Sequence, residues 1–277
     1  MTTPPSVYKT PFEILNDLGI SEPEEIDIEA IAEECGATIR YRPLSGCAAR
    51  IMGYKDRAII TIDADTIRSR QRFSAGHELG HWMRDRWRVT FQCKSKDFVR
   101  EWSLENPETR ANRFASDLLL PPKMFRTRQH RMPVTFDSVQ QLANVFCTSL
   151  AATAIRLVEH GGLPALLVCN GPEKLEWFVP NPEVRGKVFL ERRPGRGSIA
   201  EELLRGNRGE AGGREVRSDA WFNDRNAVNH WVHEDSLRTS DGSVLSLLWW
   251  KDESQLIESD DAIEERGAWR SDRRRED

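Results

Sequence analysis

Residues 76–81 read GHELGH, and no other stretch restricts the chain as much. Histidines four positions apart share a face only on a helix, where i and i+4 stand one turn apart. On such a helix His77 and His81 can both direct an imidazole nitrogen at one metal ion. Glu78 projects close to that face without having to ligate, which suits a general base for a metal-activated water. The surrounding run IRSRQRFSAGHELGHWMRD supports the helix, with Ile67, Phe73, Leu79, Trp82 and Met83 as its apolar positions. Gly76 and Gly80 work against it, since each glycine costs a helix about 1 kcal/mol relative to alanine. Two of them beside the histidines imply the close approach of a substrate, of another backbone, or of a tightly packed neighbouring helix. The preceding strand candidate, AIITID, could offer an edge to an extended peptide.

A catalytic zinc takes three protein ligands and leaves a fourth position for water, so a third ligand is expected downstream. Asp85 lies one turn past His81 on the same helix and would extend the row rather than close a tetrahedron. Glu101, Glu105 and Glu108 remain. NPETRANRFASDLLLPP reads as a helix with Asn106 as its cap, Pro107 in its first turn and Pro121-Pro122 as its stop. Its apolar stripe is Ala111, Phe114, Ala115, Leu118 and Leu119, and Glu108 lies on the extension of that stripe. An acid aimed toward a core needs a partner, which a metal would supply. The helix dipole also favours an acid in the first turn, but it does not select that face. Asn112, one turn later, either is a polar gap in the stripe or hydrogen-bonds the far nitrogen of a ligand histidine and fixes its tautomer.

The organisation around these two helices is α+β. TPFEILNDLG and DIEAIAEECG read as helices ending at Gly19 and Gly36, and ATIRYRPL, AARIMGY and RAIITID as strands of a small antiparallel sheet. Residues 136–160 read as two helices joined by a tight turn near Cys147-Thr148. Beyond Pro164 the composition turns to short β-like runs: ALLVC, EWFV, KVFLERR, NHWVHED and SVLSLLWW. A Gly/Arg-rich stretch with one short helix interrupts them. Six of the nine tryptophans lie there, which implies a separate core. Residues 257–277 are charged and nearly core-free and read as a disordered tail.

Bulk properties narrow the function classes. No stretch approaches the roughly 20 apolar residues a bilayer helix requires, and the N-terminus lacks a basic start followed by an apolar run. A cytoplasmic protein with no membrane partner is therefore expected. Five scattered cysteines without a CxxC pair argue against a disulfide framework or a thiolate zinc finger. A net charge of -4 offers no global attraction to nucleic acid.

Three stretches together resemble the ImmA/IrrE metallopeptidases, intracellular proteases of bacteria and their mobile elements: RFSAGHELGHWMRD, ETRANRFASDLLLPPKMF and LANVFCTSLAATAIRLVEHG. The likeness spans roughly residues 10 to 163. It implies a mostly helical zincin-like domain over 1–130 and a helix-turn-helix-like extension over 131–163; the C-terminal mixed α/β domain over 164–256 is read from its composition and has no comparably specific match. Some relatives carry a GAF-like sensor in the last position. It also implies His77, His81 and Glu108 as metal ligands and Glu78 as the catalytic base, with zinc, or alternatively manganese, as the cofactor. The implied partner is a helix-turn-helix repressor, cleaved to switch on stress-response or mobile-element genes.

Two other readings come from other classes. One is a regulator that sequesters its repressor without cutting it. The other is a DNA-binding protein using residues 138–160, but SLAATAIRLVEH offers a base edge little beyond Arg156, so direct DNA contact is not expected. Tyr41, Tyr54 and His130 are candidate oxyanion stabilisers by residue type alone. The basic positions Arg84, Arg86, Arg88, Lys94 and Lys96 suit a solvated loop or a substrate path.

Overall fold

The computed structural model describes residues 9–85, 106–206, 213–224, 227–252 and 254–256. Glu101, Glu105, the basic connection beyond Asp85 and the tail expected at 257–277 lie outside the described residues. The chain forms two compact units, one of residues 1–128 with 142–152, the other of residues 129–141 with 153–277.

In the first unit, α1 (Pro11–Asp17) starts at Thr10, whose hydroxyl accepts from Glu13 N while the Glu13 carboxylate accepts from Thr10 N. This reciprocal pair satisfies two amides that a helix start otherwise leaves open. Asp27 caps α2 (Ile28–Glu34) through Glu29 N and Ala30 N. Three strands follow, β1 (Ala37–Arg42), β2 (Ala49–Tyr54) and β3 (Arg57–Asp63), in the order β1-β3-β2. β2 and β3 form the expected antiparallel hairpin, but β1 runs parallel to β3, so the sheet is mixed rather than antiparallel. The hairpin turn forces β2 back along β3, whereas β1 reaches the other side of β3 through the 43–48 connection. β3 is thus the central strand, paired on both sides. AIITID offers no edge, and among the described residues the edge strands of this sheet are β1 and β2.

Helix α3 (Arg68–Asp85) packs on β2 and β3, and α4 (Pro107–Leu119) packs on α3. Ala75, Leu79, Trp82 and Met83 share a core with Ile51, Ile60, Ile62, Phe114 and Leu118. Trp82 fixes the tilt of α3: its indole N–H donates to Cys35 O at 2.9 Å, and its ring lies over Gly53 of β2. A Cβ at Gly53 would come within 2.8 Å of that ring. α4 ends at Leu119, just before the expected stop at Pro121-Pro122, and Pro122 also opens a further helix, α5 (Pro122–Gln129).

Helices α6 (Phe136–Phe146) and α7 (Leu150–His160) each contribute residues to both units. The turn between them is tight, and Cys147 adopts a left-handed conformation there (φ 51°). Among the described residues no single helix is long and apolar enough to cross a membrane.

The second unit is built on a five-stranded antiparallel sheet ordered β5-β4-β8-β7-β6, from β4 (Ala165–Asn170), β5 (Leu175–Pro180), β6 (Arg214–Arg217), β7 (Trp231–Arg238) and β8 (Val244–Trp249). β4 and β8 are buried along their whole length, as central strands covered on both faces are. The short helix α8 (Ile199–Leu204) packs on β7 and β8. KVFLERR does not form a strand; it makes one bridge, Leu190 to Phe222. Adjacent acids on β7 point to opposite faces and hold different helices. Glu234 accepts from Ala200 N in α8, Ser236 Oγ and Trp221 Nε1, and Asp235 accepts from Phe136 N at the start of α6. Burial raises the pKa of both carboxyl groups.

A candidate metal centre

The site is assembled where α3 crosses α4. Asn106 accepts from Glu108 N at 2.9 Å and Pro107 fixes the first turn, so α4 begins with Glu108 already on its inner side. The two helices approach closely because α3 has no side chain at two points. A Cβ at Gly76 would stand 3.2 Å from Ala115 Cβ, and one at Gly80 would stand 3.1 Å from Ala111 Cα and from Phe114 Cβ. The glycines therefore serve helix packing, and that contact accounts for them without any approach of substrate.

The approach brings His77, His81 and Glu108 together. His77 Nε2 lies 3.1 Å from His81 Nε2, and the Glu108 carboxylate lies 3.2 Å from the first and 3.3 Å from the second. All three candidate ligand atoms fall within 4.8 Å of one another. The histidines are buried, whereas the Glu108 side chain keeps about a quarter of its surface (28%), so one side of the cluster meets solvent. Hydrogen bonds from His77 and His81 hold the Glu108 carboxyl well below its usual range, against the opposing effect of burial. Asn112 Oδ1 lies 2.8 Å from His77 Nδ1. With that oxygen as acceptor, His77 keeps a proton on Nδ1, and Nε2, which donates to Glu108 while it is protonated, is the nitrogen that would give up its proton and offer a lone pair to an ion. Glu78, next in sequence to His77, is fully buried.

Two imidazole nitrogens and a carboxylate oxygen converging on one point, with a solvent-facing side, suit a divalent ion with an open position. The donor set fits zinc in kind, and the three residues are those the sequence singled out.

Of the candidates named by type, the Tyr41 hydroxyl donates to Glu29 Oε1 at 2.5 Å and accepts from Arg68 at 3.1 Å. Burial and then Glu29 push its pKa up to about 12. It is thereby committed to a cluster of α2, β1 and α3 that sequence reasoning missed; nothing in the spacing of Glu29, Tyr41 and Arg68 announces it. Tyr54 is exposed at the end of β2. Trp82 was read only as an apolar position, and its seat on Gly53 could have been sought from a glycine placed inside a strand.

Such an α+β unit, with a helix-borne HExxH and a third candidate ligand on the next described helix, has the arrangement of a metallopeptidase-type domain. The family whose model matches is Peptidase_M78, the IrrE N-terminal-like domain, over residues 32–158, and the match supports assigning that part of the chain to it. No curated protein matches the chain. Among solved structures it is similar to a Mycobacterium tuberculosis transcriptional regulator, at 11% identity and a TM-score of 0.55, over 88% of this chain and 76% of the other. At that identity the likeness concerns the fold alone.

Proposed function

We propose that the protein is an intracellular metal-dependent endopeptidase that cleaves a helix-turn-helix repressor and so derepresses the genes it controls. The observation that carries this reading is the convergence of His77, His81 and Glu108, with Glu78 following His77 on the same helix. A divalent ion held there would supply Lewis-acid polarisation of a peptide carbonyl and acidify water. The chain supplies the rest. Asn112 holds the His77 ring in one tautomer, Glu78 takes the proton of the attacking water and returns it to the leaving amine, and the buried walls limit competing solvent. DNA reading through residues 138–160 is disfavoured by the burial of Arg156, whose guanidinium lies 2.9 Å from His160 Nε2.

In the same reading the second unit regulates the first. It carries a shallow pocket of about 360 Å³, solvent space included, lined by Phe222, Ala227 and Trp250. Ser218 Oγ is buried at its wall with no hydrogen-bond partner among the described residues. A GAF-like sensor role for this unit belongs to the proposal.

The test is incubation of the metal-loaded protein with candidate helix-turn-helix repressors from its own cell, with and without chelator, and with Glu78→Gln. Chelator-sensitive cleavage that Glu78→Gln abolishes is expected. Stoichiometric binding of intact repressor with no cleavage would replace this reading with sequestration.

A further inference from the structure

The outer face of the three-stranded sheet, away from α3, is unusually rich in exposed apolar and cationic side chains. Met52 is 64% exposed, Tyr54 76% and Ile59 41%, and Arg40, Arg42, Arg50 and Arg57 are exposed among them. The register orders these residues into rows across the strands, because directly paired positions share a face. One row is Thr38, Ile59, Met52, and the next is Arg40, Thr61, Arg50. Arg57 pairs with Glu33 at 3.4 Å, but Arg40, Arg42 and Arg50 form no ion pair or hydrogen bond among the described residues. Glu33 also accepts from Thr38, and Asp63 on this face accepts from the backbone of Leu44 and Asp65.

These rows end at an edge strand. Among the described residues β2 pairs only with β3, so its other side presents amides and carbonyls that an extended peptide can engage. The edge is tied to the metal-site helix through Gly53, seated under Trp82, the residue after His81. A peptide added antiparallel to β2 would lay alternate side chains on the outer face. One would fall opposite Met52 at the end of an apolar row, and the next opposite Arg50 at the end of a row holding two arginines.

Resting on the endopeptidase reading above, we propose that β2 is a specificity edge that selects an extended substrate segment with an apolar residue followed two positions later by an acid, through Met52 with Ile59 and Arg50 with Arg40. Directly opposed ion pairs across strands are worth up to about 1 kcal/mol, which corresponds to about fivefold in rate constant.

The experiment uses the full-length, zinc-loaded protein and a library of synthetic peptides, with cleavage read by mass spectrometry. A cleaved peptide carrying the acid is remade with lysine at that position, and the ratio of the two kcat/KM values is measured. Wild type is expected to favour the acid about fivefold, Arg50→Gln to bring the ratio near one, and Arg50→Glu to invert it. The ratio is internal to each variant, so a change in overall activity does not obscure it. Cleavage by wild type with the same ratio in all three proteins overturns the specificity edge and leaves the endopeptidase reading standing. Failure of zinc-loaded wild type to cut any peptide or the repressor overturns both.

Discussion

Placing a methyl group at Gly80 tests whether the glycine pair sets the geometry of the metal centre. Gly80→Ala adds a Cβ 3.1 Å from Ala111 Cα and Phe114 Cβ and 3.2 Å from Ala111 O. Two of these three atoms are backbone and cannot rotate away, so α4 has to yield by a few tenths of an ångström. Alanine in place of glycine favours the helix by about 1 kcal/mol, whereas overpacking a close helix contact costs about 1–3 kcal/mol. The net expectation is a loss of about 1 kcal/mol, seen as a lower urea midpoint for the metal-free protein. The same shift carries Glu108 and Asn112 away from His77 and His81. Metal–ligand distances tolerate only about 0.2 Å, so the affinity for zinc should fall about tenfold although no ligand has changed. Competition with a chromophoric chelator measures that change. A raised urea midpoint together with unaltered zinc affinity would refute the reasoning, because helix propensity would then outweigh contact and the centre would not depend on the closeness of α3 and α4.

Four further outcomes are expected. His77→Ala, His81→Ala and Glu108→Ala should each lose bound metal by elemental analysis; a fully loaded Glu108→Ala protein would point to a ligand outside the described residues. Glu78→Gln should keep the metal and lower kcat by about 10²-fold or more, and near-wild-type turnover would remove its role as base. Burial opposes ionisation of Glu29, but hydrogen bonds from Tyr41 and Arg68 prevail and hold its pKa at about 2, against an ordinary 4.5. Its stabilisation relative to Glu29→Gln is therefore fully present above pH 4.5 and lost as pH falls toward 2. After solvent screening of a side chain one-third exposed, it should amount to about 1 kcal/mol, read from denaturation midpoints across that range. Asp235→Ala leaves the Phe136 amide without its acceptor and should cost about 1–3 kcal/mol, with Asp235→Asn costing less; equal stability of all three would mean that Asp235 does not hold α6.

What was legible in the sequence was whatever has a local cause. Asn106 and Pro107 mark the start of α4 because a cap and a fixed φ act within one turn, and the histidine spacing specifies a shared face without reference to the rest of the chain. The ambiguity of Gly76 and Gly80 was real in the sequence, since a glycine records that something approaches but not what; only Ala111, Phe114 and Ala115 on the facing helix settle it. Strand partners were the weakest inference for the same reason. Period-two patterning assigns faces but carries no address, so nothing in ATIRYRPL announces that it pairs parallel to β3. KVFLERR has strand composition yet forms a single bridge, and REVR, hidden in a Gly/Arg-rich stretch, is the edge strand β6. Tyr41 was read by its hydroxyl alone, and its commitment to Glu29 and Arg68 is a tertiary fact.

The bond from Phe136 to Asp235 spans 99 residues of sequence. At a synthesis rate of about 5–20 residues per second, the amide at the start of α6 leaves the ribosome about 5–20 s before the carboxylate that will accept its proton. Every residue of the first compact unit, by contrast, has been made by position 152. The nascent chain thus presents a complete set of candidate metal ligands while the Phe136 amide still lacks its carboxylate acceptor, and a metal ion could be acquired before residues 153–277 of the second unit are made.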